Sequence, residues 1–221
     1  MILRNGVLLA VLLAVAPGAA RALDVQSGNF VFAIVHQEYG EIGEHQVAIS
    51  RRGDDVVIEQ AGEMEVDVLL LGGQRREGHS RAVWRNQRLI SFHGRTVENG
   101  ETSEVVAEAE GDLLVIEGPA GRFEAPAEAV PNQPLLRATA ERTVLFDIET
   151  GEIHETEVQV HGVERILLGD GDAVEAVRYE FTNPTQDAWY DQSGIWVQWR
   201  LLDGNGMITV TRRSAEPVEI R

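Results

Sequence analysis

Apolar and polar positions alternate along Val174 to Leu202, VEAVRYEFTNPTQDAWYDQSGIWVQWRLL. Val177, Tyr179 and Phe181 share one side of an extended run, and Arg178, Glu180 and Thr182 share the other. That period of two marks a half-buried strand. Asn183-Pro184-Thr185 interrupts it, because proline has no N–H to give to a ladder. Trp189-Tyr190 resumes the run, and Asp191-Gln192-Ser193-Gly194 turns the chain. Ile195, Val197, Trp199 and Leu201 then alternate with Trp196, Gln198 and Arg200. The pattern predicts three consecutive antiparallel strands, which carry three of the four tryptophans at their centre.

The same period recurs upstream. Phe30 to His36 puts Phe30, Phe32 and Ile34 on one face, and Glu44 to Ser50 does so with His45, Val47 and Ile49. Val56 to Leu71 has Val56, Ile58, Met64, Val66, Val68 and Leu70 on one side. Glu59, Glu63, Glu65 and Asp67 occupy its other side, an acidic face expected in water. Gly78 to Trp84 and Leu89 to Val97 form a hairpin, and Glu98-Asn99-Gly100-Glu101 is a strong hairpin turn. Thr102 to Ala109 and Leu113 to Glu117 follow. Past an interruption come Thr143 to Asp147, Ile153 to Ile166 and, at the far end, Met207 to Arg212.

The interruption has its own composition. No glycine occurs from Arg122 to Thr150, and Pro126, Pro131 and Pro134 crowd its first half. Leu135 to Arg142 holds good helix formers without strand alternation. Pro126 to Arg142 thus predicts a crossover with a short helix. Such a piece either covers a sheet edge or barrel mouth, or is a plain surface connection. The chain as a whole predicts an all-β fold with minor α content. It is a single curved antiparallel sheet forming a half-open barrel of roughly eleven strands, with a short helical insert.

The N-terminus changes the expected location. Arg4, the apolar run Val7 to Val15 and Ala20-Arg21-Ala22 have the three-part form of a secretory signal peptide over residues 1–22, cleaved after Ala22. The run is shorter than the roughly 20 residues of a membrane span, and a retained N-terminal anchor is the competing reading. A periplasmic or secreted protein follows, with one domain over residues 23–213, a loose tail over 214–221 and no stable membrane anchor after cleavage. The chain has no cysteine. That excludes a lipid-modified cysteine, and a chain of this size buries a core without disulfides. A net charge of −17 repels phosphate backbones and argues against nucleic acid as a partner.

The candidate chemistry is sparse. His36, His45, His79, His93, His154 and His161 show no metal-ligand spacing, so no metal site is expected. Calcium-loop registers from Asp170 and Asp203 end at Phe181 and Ser214 instead of glutamate, and read as turns. Gly78-His79-Ser80-Arg81-Ala82 mimics a nucleophile elbow but lies inside a strand-like run. No catalytic residue and no cofactor are assigned. Trp84, Tyr179, Phe181 and Trp199 fall on the apolar side of their strands. They are either ordinary core or the walls of an apolar pocket in an incompletely closed barrel, capped by Pro126 to Arg142. Trp196 falls on the opposite parity and is expected as an exposed contact residue.

Several short motifs carry a resemblance. They are Gly40-x-Ile42-Gly43-x-His45, Arg52-Gly53-Asp54, Trp84 with Leu89, Ala176-x-Arg178-Tyr179 and Trp189-Tyr190-Asp191-x-x-Gly194-x-Trp196-Val197. Together they resemble an uncharacterised bacterial secreted family, the domain of unknown function numbered six-one-three-four. More distantly, the family is similar to the half-barrel lipoprotein carriers of the bacterial periplasm, which take lipid into an apolar concavity. That resemblance implies no catalytic residues. The leading expectation is an exported protein that binds an apolar small molecule, lipid or acyl chain. The alternative is a structural or protein-interaction domain with a fully packed core, and an enzyme ranks third for want of any catalytic motif.

Overall fold

A computed structural model describes residues 23–68, 72–203 and 206–218. The expected signal peptide, the Leu70-Leu71 end of the expected long strand, the expected Gly204-Asn205 turn and the last three residues of the expected tail lie outside the described residues.

The first half is a run of hairpins: β1 (Gly28–His36), β2 (Gly40–Arg52), β3 (Asp55–Val68), β4 (Gly72–Arg85), β5 (Arg88–Glu98), β6 (Glu101–Glu110), β7 (Leu113–Gly118) and β8 (Gly121–Pro126). The interruption holds β9 (Val130–Pro131), β10 (Val144–Phe146) and β11 (Ile153–Glu155). Then follow β12 (Val158–Leu167), β13 (Ala173–Thr182), β14 (Thr185–Tyr190), β15 (Trp196–Asp203) and β16 (Gly206–Arg212). The chain reverses where glycine or asparagine allows it. Asn99 and Gly100, both at positive φ, make the β5–β6 turn that such a pair favours.

Thirteen strands form one antiparallel sheet in the order β12-β13-β14-β15-β16-β1-β2-β3-β4-β5-β6-β7-β8. The two halves meet where β1 pairs with β16, with Ile34 opposite Val210 and Phe32 opposite Arg212. Among the described residues β8 and β12 pair with nothing beyond their inner neighbours, so the sheet does not close. Its inner face carries the main core, from Phe30 and Phe32 through Ile58, Trp84 and Phe92 to Tyr190 and Trp196. Glu59, Glu63 and Glu65 point to solvent on the opposite side of β3.

Two expectations are corrected. The strands number more than the roughly eleven expected, because Gly121–Pro126 and the pieces of the interruption form strands of their own. The helical insert is not a helix. Residues Arg137–Thr139 make a single 3-10 turn, and β9, β10 and β11 form a small sheet instead. Three prolines remove backbone donors there. The good helix formers that remain span too short a stretch to sustain a helix alone, and burial of Leu135, Leu136 and Ala140 in the core overrides their propensity.

The insert packs on the inner face of the large sheet. Phe146 meets Phe92 edge-on at 5.3 Å. Trp196 N–H donates to Leu135 O at 3.1 Å, and Ala120 N–H donates to Thr150 O at 3.0 Å. The buried Tyr190 hydroxyl donates to Pro134 O, and burial raises its pKa well above the usual tyrosine value. The far end of β16 is tied by a buried ion pair. Arg212, 1% exposed, reaches Asp191 at 2.5 Å, and Ser193 Oγ bonds both residues.

Candidate functional site

The inner face of β2 to β5 lacks side chains where a packed barrel needs them. Gly62 lies opposite Gly78, and Ser80 lies opposite Gly94. Alternate residues of a strand share a face, so these small positions form a contiguous band, with the Phe92 ring over Gly94, the His45 ring beside Gly62 and open space only at Gly78. The insert covers part of the space above it. What remains is a cavity of about 580 Å³ bounded by the band, by Phe92 and Ile148, and by Trp196, Trp199 and Leu201. Ligand sites commonly fall between about 300 and 1,000 Å³. Two apolar side chains at its lining, Tyr39 and Leu202, are exposed. Arg76 of β4 pairs with Glu149 of the insert and lies 3.9 Å from Glu98.

The greasy wall is interrupted by two polar strings. On one side His45 Nε2 lies 3.2 Å from Gln60 Oε1, and Gln60 Nε2 donates to Ser80 Oγ at 3.2 Å. On the other, Trp199 Nε1 donates to Gln186 Oε1 at 2.8 Å, and Gln186 Nε2 donates to Asn132 O at 3.0 Å. Asn132 is held in turn by Asp147. The His45 ring stacks on Trp196 at 6.0 Å and faces Phe32 at 5.9 Å. Burial lowers its pKa to about 4, against a smaller upward pull from Gln60. A desolvated imidazole is disfavoured in its charged form, so His45 is neutral at neutral pH.

The four aromatic residues singled out from sequence separate. Trp199 lines the cavity. Trp84, Tyr179 and Phe181 are buried in the packed core, with Tyr179 edge-on to Tyr190 at 5.2 Å. Trp196 is corrected: it is 1% exposed and lines the cavity. The cause is a β-bulge. Trp189 pairs with Gln198 but Tyr190 pairs with Trp196, which leaves Val197 as an extra residue. One extra residue inverts the alternation beyond it, so Trp196 and Trp199 both face inward. Val197 turns outward to a small second cluster with Trp189 and Ala176. There Trp189 is flanked by Arg178 and Arg200, 5.7 and 5.1 Å from its ring, and both arginines bond Asp187.

His45, Gln60 and the glycine band were not assigned from sequence. The band had a legible signal, since Gly62 and Gly78 share the parity of Ile58 and Ala82. Among the described residues no group of three or more His, Asp or Glu could hold a metal ion.

The chain matches the model of the domain of unknown function DUF6134 over residues 32–213. Among solved structures it is similar to a beta-barrel-like protein of domain of unknown function DUF1849 from Brucella abortus. The TM-score is 0.65 at 11% identity, over 90% of this chain and 100% of that one. A likeness at that identity shows the fold alone. No curated protein matches. The family match runs from Phe32 within β1 to Arg213 just past β16 and takes in all of the large sheet but the first four residues of β1, so this protein belongs to the DUF6134 family.

Proposed function

We propose that this protein binds an apolar ligand, or the apolar part of an acyl-bearing one, in the cavity on the inner face of its sheet. The observation that carries the reading is the cavity itself, about 580 Å³, in which Ile34, Ile42, Phe92, Trp196, Trp199 and Leu201 form an apolar stretch of the lining beside polar and charged residues. Protein interiors are otherwise packed as densely as organic crystals. A cleft of this size leaves its apolar walls against water, which an apolar ligand would displace. Trp196 and Trp199 contribute ring faces to the site. Trp84, Tyr179 and Phe181 belong to the packed core and not to the cavity lining. In this reading residues 1–22 export the protein, which meets its ligand in the periplasm or outside the cell.

The test begins with protein purified gently from its export compartment. Mass spectrometry of an organic extract should find a co-purifying apolar molecule. The stripped protein should take up an environment-sensitive apolar dye, with a change in tryptophan fluorescence from Trp196 and Trp199. An empty extract together with no dye uptake overturns the proposal.

A further inference from the structure

The polar atoms inside the cavity restrict what can enter it. His45, Gln60 and Ser80 stand on β2, β3 and β4 and form one string across the sheet. The carbonyl oxygen of an amide only accepts. With the Gln60 amide turned as the structure has it, Oε1 toward the ring at 3.2 Å and Nε2 toward Ser80, His45 Nε2 is the nitrogen assigned the proton. Burial keeps the ring neutral, so its other nitrogen, Nδ1, holds a bare lone pair.

Nothing among the described side chains donates to that lone pair. Nor is the atom sealed off, as Nε2 of His36 and Nε1 of Trp196 are. The position beside it is Gly62, which lines the cavity. A Cβ at Gly62 would come 3.1 Å from His45 Nδ1, so a side chain there would crowd the atom. Gly78, opposite Gly62, is equally bare: a Cβ there would meet nothing nearer than Thr96 Oγ1 at 4.0 Å. The glycine pair leaves a path from the cavity to this acceptor.

Resting on the reading of the cavity as an apolar ligand site, we infer that the ligand carries a neutral hydrogen-bond donor, an alcohol hydroxyl or an amide N–H, that bonds His45 Nδ1. His45 and Gly62 are then the residues that determine specificity. A carboxylate is the wrong partner, because it offers no proton to a bare lone pair and is costly to desolvate. The cations at the rim do not rescue it. Arg75 is held by Glu77 at 2.6 Å, and Arg76 by Glu149, while Arg95 stands on the opposite parity of β5 from the inward Gly94 and Thr96 and reaches Thr102.

The experiment is displacement of a bound apolar dye, at about pH 7.5 where carboxylates are ionised, by three probes of equal chain length. They are 1-decanol, its methyl ether and decanoic acid. The alcohol and the ether differ by one donor, and one buried hydrogen bond corresponds to about tenfold in affinity. Decanol should displace the dye at about one tenth of the ether concentration, with the acid weakest. His45→Phe and Gly62→Ala should each bring alcohol and ether to parity, with each probe read against the dye affinity measured for that same variant. His45→Gln, which restores a carbonyl acceptor, should recover part of the preference. Ether equal to alcohol on the native protein, or acid tighter than alcohol, overturns the inference and leaves the cavity reading standing. Failure of the dye to enter overturns both.

Discussion

Acid should destabilise this protein through His45, and the size of the effect follows from its burial. In the unfolded chain a histidine takes up its proton near 6.5. In the fold, burial against Trp196, Phe32 and the cavity wall lowers that value to about 4. The folded-state pKa is depressed, so as pH falls the unfolded chain binds the proton first. His45 therefore leaves stability intact above about pH 6.5 and removes it progressively as pH falls toward 4. Each unit of separation is worth 1.36 kcal/mol, which gives about 2.5 kcal/mol lost by about pH 4.5. Part of the ring borders the cavity, and water admitted there trims the figure toward about 2 kcal/mol. The assay is urea unfolding at several values between about pH 7.5 and pH 4.5, on the native protein and on His45→Phe. Carboxylates titrate in both and cancel in the comparison. The native protein should lose about 2 kcal/mol more than the variant over this range. Parallel curves would refute the argument and mean that His45 is solvated in the fold.

Two further outcomes are expected. Gly78→Val should fold with an unchanged or raised Tm and lose dye uptake, because its side chain enters open space and fills the cavity instead of displacing a neighbour. A large drop in Tm with binding retained would show that Gly78 does not face the void. Asp191→Ala should cost about 3–5 kcal/mol in a urea titration, since it strands the buried Arg212 guanidinium without its counter-charge. Adding Arg212→Met should recover a large part of that loss, and a double variant as unstable as the single one would contradict this account.

Much of the fold was legible. Val177, Tyr179 and Phe181 alternate with polar neighbours, and β13 forms there with Tyr179 and Phe181 in the core. The Asn99-Gly100 turn sits where its residue types demand. The candidate site was legible only in part. Trp199 lies on the cavity as its parity indicates, but Trp196 lies beside it against its parity. The bulge at Val197 has no mark in the sequence, because it is defined by what β14 places opposite. The helix expected at Leu135 to Arg142 failed for a similar reason. Its residues favour a helix locally, but Leu135 and Leu136 are drawn into contact with Trp196 and Ile195 across the core.

Alternation of side chains along a strand is a local property of extended backbone, so the chain alone determined that the protein is built of antiparallel strands and where most of them turn. The placement of one strand against another is not local. Phe32 finds Arg212 only when β1 and β16 meet, and Gly62, Gly78 and Gly94 become one band of small positions only in the register that pairing sets. A cavity is space left between distant residues. No stretch of sequence contains it, and the tertiary structure alone decided that His45 faces it with an open nitrogen.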